Sequence, residues 1–322
     1  MFRRSTSSLY GITLILTIVL SSNTTTASLF NTLRSFFGAL PYSEIMQKKY
    51  PLSSDATLTL NNFDGNIKIT TKKSHLVHLT AIKRANRPDM LPHLQISDNT
   101  SITPTGQHTA LTISSVISGE HVQGRIDYEL TIPAGTALNL ATETGAITID
   151  AIHAPSVLRT QKGSINVRHA YESVTASVED SGAISIGTAT HSVRATTVYG
   201  NINVDNAHKN VLATSSGKGT IHIAYAVPPL NAEIALKTCS GNITVALPEK
   251  TNAAIAGKTK KGCLTSDHVI TFAPMSSTLD STAWTRFRQE VIGSVGIHET
   301  GVPHIRLESE RGNIKIAKNC VK

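Results

Sequence analysis

Two carboxylates and three histidines recur at similar offsets from glycines, residue types that could do acid–base or metal chemistry. Glu143 and Asp180 each stand two residues before a glycine, Gly145 and Gly182. If the units carrying them stack two rungs apart, they are separated by ~9.6 Å, near the spacing with which an inverting glycosidase brackets a water. Turns are rich in acids in any protein, and no aromatic subsite is visible: aromatic residues make up 5% of the chain and its one tryptophan is Trp284. His153, His191 and His208 fall eight or nine residues after their glycines. No His-Glu-x-x-His or comparable pair accompanies them, so surface histidines are expected rather than a metal centre. Basic residues directly precede the glycine at Lys162, Lys218, Lys261 and Arg311. Together with Lys258 and Lys260 they form a candidate binding edge for acidic glycans or anionic lipid heads. The plainer reading is a set of solvated turn charges that keep strand edges soluble.

Nothing in the sequence matches a phosphate-binding glycine loop, a Gly-x-Ser-x-Gly elbow or a calcium-binding nonapeptide. No catalytic, cofactor-binding or metal residue is therefore assigned. Asp150 and Arg168, five residues after their glycines, are expected to pair across adjacent units as a structural contact worth at most ~1 kcal/mol.

The glycines belong to a phrase of glycine, any residue, Ile, any residue, and Ile or Val. It runs through Gly145-Ala146-Ile147-Thr148-Ile149 and recurs at Gly163, Gly182, Gly200, Gly219 and Gly241, in steps of 18, 19, 18, 19 and 22 residues. A period of this length marks a repeat architecture. Alternate apolar residues after each glycine make a half-buried strand, and a weaker apolar stretch before it makes a second. Two strands cannot bury a face alone, whereas stacked units share a continuous Ile/Val column. The expected fold is all-β: a single-domain β-solenoid with coils of about 18–22 residues, the glycine at each corner. An antiparallel meander with those glycines in hairpin turns is the competing architecture.

Residues 1–27 have the parts of a secretory signal. Arg3 and Arg4 are followed by an uncharged apolar run from Leu9 to Leu20 and small residues at Thr25-Thr26-Ala27. The run is too short for the ~20 residues of a membrane span, so cleavage near Ala27 is expected over an uncleaved anchor. No later segment reads as transmembrane. Residues 28–55 read as a leader, either a short docking helix or a tether, and 56–140 as an antiparallel β layer capping the solenoid. The regular coils occupy 141–250. An irregular insertion follows at 251–303, with a short helix around Thr282 to Val291, and serves as a binding face or as capping. A closing coil and tail occupy 304–322.

Formal net charge falls from +8 to +6 when Arg3 and Arg4 leave with the signal, a mildly basic balance that does not suggest nucleic-acid binding. Three cysteines, Cys239, Cys263 and Cys320, are too few for a disulfide framework. One bridge, with Cys239 and Cys263 meeting on successive units, or three free thiols are both open.

Larger phrases add specificity. Ile132-Pro133-Ala134-Gly135-Thr136, then Leu138-Asn139-Leu140-Ala141-Thr142, the tandem glycine units, and Pro303-His304-Ile305-Arg306-Leu307 leading to Gly312-Asn313-Ile314 resemble the bacterial putative-adhesin family. The resemblance covers roughly Thr57 to Ala317. It implies a β-solenoid outside the cytoplasm and a role at the surface or envelope, and it brings no catalytic residues with it. The insertion after Gly262 and the lack of an obvious surface-anchoring signal depart from the pattern. The expected protein is exported to periplasm, cell surface or medium, is not an enzyme and needs no cofactor. It offers an extended surface to cell-surface glycans, other anionic envelope polymers or protein partners. The alternatives are a carbohydrate-active enzyme and a self-assembling structural subunit.

Overall fold

The computed structural model describes residues 40–103, 108–119, 121–227, 230–272, 289–296 and 301–319. The expected signal segment, the first part of the leader, Cys320 and Trp284 lie outside these residues.

Each regular unit is one coil of two strands, and successive coils pair in parallel. Ile165–Ala170 lies between Ile147–Ile152 and Ile184–Ala189, with Ile165 opposite both Ile147 and Ile184. In the other sheet Ser156–Lys162 lies between Ala137–Thr144 and Val174–Ser181, with Leu158 opposite Leu140 and Ala176. Parallel pairing excludes the meander and establishes the solenoid. The inward side chains form one buried column, from Leu58 and Ile67 near one end to Leu307 and Ile316 near the other, those four being completely buried. Branched side chains at every second position make this possible, because they fit a pleated, half-buried surface.

Spatial order departs from chain order at both ends. In one sheet the strands run Gly124–Pro133, Ile67–Lys72, Ile147–Ile152 and onward to Ile243–Leu247, Ile314–Lys318 and Leu264–Ser266. The other sheet follows the same sequence of coils. The coil at 57–72 therefore sits one place inside the N-terminal end, and the coil at 304–318 sits between those at 233–247 and 253–266. Residues 304–318 were expected to close the solenoid; they are instead an interior coil. Composition explains the exchange. An interior coil must offer apolar side chains to two neighbours, and Ile305, Leu307, Ile314 and Ile316 are all buried. The end coil has Gly257 and Ser266 at the matching inward positions, and Leu264 folds into the space that a side chain at Gly257 would fill.

Antiparallel pairs cap the N-terminal end, as expected. Tyr42–Pro51 pairs with Leu76–Ala85, which pairs with Gly124–Pro133, while Leu94–Ile102 pairs with His108–Ile117. A Lys48–Asp98 ion pair joins the outermost strands of the two sheets. Two expectations are corrected here. The stretch assigned to a leader through residue 55 already contains the strand Tyr42–Pro51. Inside the segment 56–140, the strands Thr57–Asp64 and Ile67–Lys72 pair in parallel with their neighbours and are a true coil. At the other end the insertion holds the coil at 253–266 and the antiparallel strands Ile270–Phe272 and Glu290–Val295. The expected helix falls mostly outside the described residues, and its last two positions belong to a strand.

Candidate functional site

At the corner between the two sheets three backbone problems are solved. The chain turns through the glycine with its Cα against the carbonyl oxygen of the glycine one coil back; a Cβ on Gly163 would collide with the oxygen of Gly145. That carbonyl is turned out of the strand ladder and receives a buried hydroxyl from the adjoining coil. Thr160 donates to Gly145 at 3.1 Å, Thr238 to Gly219 at 3.0 Å, Thr259 to Gly312 at 2.9 Å and Ser309 to Gly241 at 3.2 Å. The N–H after the glycine donates to an asparagine on the neighbouring coil. Asn66 accepts from Ala146, Asn242 from Asn313 and Asn313 from Cys263, each at 2.9 Å. A buried polar group left without a partner costs about 1–3 kcal/mol, so the hydroxyl ladder holds the corner in one register. The hydroxyl three residues before the glycine was visible in the sequence and carries no role in the reading above.

On this frame the row of residues just before the glycines is in register: Lys162 lies opposite Thr144 and Ser181, Lys218 opposite Ser240, Ser240 opposite Arg311, and Arg311 opposite Lys261. Arg311 and Lys261 are one rung apart and Lys218 two rungs from Arg311, at ~4.8 Å per rung. All three are exposed, and among the described residues none has an ion-pair partner.

The other candidates are distributed differently. Lys162 pairs with Asp180 at 3.6 Å, Lys258 with Glu290 at 3.4 Å and Lys260 with Glu310 at 3.0 Å. Lys258 and Lys260 project from the outer face of their sheet, beside Glu308 and Glu310. Lys260, and then Cys239, hold the Glu310 carboxyl below the ordinary carboxylate range; Arg306 does the same for Glu308, against the opposing effect of burial. Glu310 therefore stays ionised beside Lys260, and Glu308 beside Lys237 and Arg306.

Glu143 and Asp180 lie on the coils either side of Lys162, two rungs apart as expected. Glu143 is exposed and Asp180 is paired with Lys162, so the two carboxylates do not face each other across an enclosed cleft. His153 stacks on Tyr171, with ring centroids 4.7 Å apart. Backbone hydrogen bonds from Tyr171 to Ile152, Thr190 to Ala170 and His208 to Ala189 place Tyr171 and Thr190 on the rungs between His153 and His208. Among the described residues no three His, Cys, Asp or Glu side chains converge on a metal position. Asp150 and Arg168 form the expected ion pair at 3.0 Å. Cys239 and Cys263 are free thiols. They are not on successive rungs, because the coil at 304–318 stands between theirs.

Fold and surface together define a capped parallel β-solenoid repeat protein whose ordered features face outward from its corner and sheets. The chain belongs to the Toastrack DUF4097 family, whose model matches residues 39–317. No curated protein matches it. Among solved structures it is similar to a "putative adhesin" of Bacteroides fragilis, at 14% identity over 86% of this chain and 98% of that one, with a TM-score of 0.44. It is also similar to a "putative cell adhesion protein" of Clostridium sporogenes, at 12% identity over 86% of this chain and 100% of that one (TM-score 0.24). A third is a "putative lipid binding protein" of Parabacteroides distasonis, at 10% identity over 87% and 97% (TM-score 0.29). At those identities and scores, ligand and role have to be argued from this chain's own residues.

Proposed function

We propose that this protein is an exported, non-enzymatic scaffold whose corner row binds anionic polymers of the cell envelope, an adhesive role in the broad sense. The observation that carries the reading is the alignment of Lys218, Arg311 and Lys261, exposed and without ion-pair partners among the described residues, on one rigid edge. Six positions suggested this edge in the sequence, and three of them support it. A polyanion has charges spaced along its length and gains from cations repeated at rung spacing, whereas a small anion would engage one of them. The antiparallel strands at the ends of the stack favour this over end-to-end assembly, since they interrupt the parallel stacking that would continue into a second copy.

The test is salt elution from immobilised heparin, used as a generic polyanion. The Lys218→Glu/Lys261→Glu/Arg311→Glu variant is expected to elute at clearly lower salt than the parent, and Lys258→Glu/Lys260→Glu to shift less. Equal shifts for the two variants, or none for the first, would contradict the edge. Export belongs to the same reading: the chain recovered from the envelope or medium should begin near Ser28, and recovery there with Met1 intact would count against it.

A further inference from the structure

We infer that the outer face of the other sheet, on coils that end two rungs before the basic edge begins, carries a second site for a neutral saccharide chain. The inference goes beyond the polyanion reading and does not depend on it. The strands Ile67–Lys72, Ile147–Ile152, Ile165–Ala170 and Ile184–Ala189 form the floor of a groove of about 540 Å³. It exists because of side-chain size: Ser185 and Gly187 leave a depression beside the longer Asn166 and Arg168. Thr148 and Asn166 offer a hydroxyl and an amide on neighbouring rungs, and the Arg168–Asp150 pair adds fixed donors and an acceptor.

One residue further along these strands the chemistry becomes aromatic. His169 follows Arg168, and the Tyr171 ring stacks with His153 (4.7 Å, 16° between ring planes) and with His169 (6.0 Å, 22°). Tyr171 is 43% exposed, so the stack is available at the surface. Composition alone gave no hint of this shelf: His169 and Tyr171 are two residues apart, and His153 joins them only through the register of adjacent coils.

Three features select the ligand class. The groove is charge-balanced: Arg168 is matched by Asp150 and Lys68 by Glu129 at 3.7 Å, which gives an acidic polymer no advantage. Its strands are hydrogen-bonded on both sides, so a peptide finds no open backbone edge and only side chains can make bonds. Hydroxyl, amide and paired ionic groups beside exposed rings suit a molecule with a hydroxylated rim and C–H faces, which describes a sugar ring.

Affinity electrophoresis of the mature chain in gels containing hydroxyethylcellulose, galactomannan or, as the acidic arm, polygalacturonate tests this. Retardation is expected with at least one neutral polymer. It should weaken at least tenfold in Tyr171→Ala and in Ser185→Arg, which fills the groove from an outward position without touching the core, and persist in the Lys218→Glu/Lys261→Glu/Arg311→Glu variant. No retardation by either neutral polymer would overturn the site, as would retardation unchanged by both groove variants. Retardation by polygalacturonate that Ser185→Arg abolishes would overturn its assignment to neutral chains.

Discussion

Gly163→Ala is expected to destabilise the protein by roughly 3–5 kcal/mol, a large effect for the addition of one methyl group. Two costs combine. The residue has φ +142°, a backbone conformation that side chains resist at ~1–3 kcal/mol, and its new Cβ would press on the Gly145 carbonyl in the next coil. Relief requires two rungs to part, which adds an overpacking penalty of similar size and pulls the Thr160 hydroxyl from that carbonyl. Gly119→Ala is the control. It also has positive φ, at +116°, but the nearest atom to its added Cβ is a valine methyl at 3.4 Å, so only the conformational cost of about 1–2 kcal/mol applies. Thermal unfolding of the two variants compares them directly. A Gly163→Ala shift no larger than that of Gly119→Ala would mean that the corner glycines are not stacked as described.

Removal of residues 304–322 has the largest expected effect of any truncation that short. It takes Ile305, Leu307, Ile314 and Ile316 from the interior, each contributing about 1.5–3 kcal/mol of burial. It also leaves the strands Glu233–Ser240 and Ala253–Lys261 without the neighbour that joins them. Solenoid stability is close to a sum of neighbour terms, so the damage should stay local. Hydrogen exchange of the truncated chain should show lost protection through 233–266 and intact protection in the coils from 137 to 207. If 253–266 keeps its protection, the C-terminal coil does not lie inside the stack.

The sequence made the coils legible and left their order hidden, for a physical reason. Each glycine phrase specifies a shape, a strand turning a corner with branched residues facing in, and that shape is nearly the same in every unit. Which units become neighbours depends on how completely each fills both of its faces, and the contrast between Leu307 and Gly257 decides this at the C-terminal end. The same limit applies to the surface. Lys258 and Lys260 look like part of a basic cluster in the sequence, yet their partners Glu290 and Glu310 come from strands that only the final order brings alongside. The stacking of Tyr171 on His153 likewise needs cross-coil register. The threonine ladder is the opposite case: Thr142, Thr160, Thr197, Thr238 and Thr259 all stand three residues before their glycines, a pattern open to inspection once the corner carbonyls are seen to need donors.

The basic edge depends on parallel rungs stacked in this order at the C-terminal end, and disulfide trapping tests that most directly. In a chain with Cys239, Cys263 and Cys320 changed to Ser, cysteine pairs are placed on outward positions of the C-terminal coils. Lys237 lies opposite Glu308, and Glu308 opposite Lys258, so Lys237→Cys/Glu308→Cys and Glu308→Cys/Lys258→Cys each bring Cα atoms to ~4.8 Å, within disulfide range. Lys237→Cys/Lys258→Cys is two rungs apart, ~9.6 Å, and out of reach. The structure predicts rapid oxidation of the first two pairs and none of the third. Oxidation of the third pair, with the two involving position 308 remaining reduced, would contradict the winding on which the rest depends.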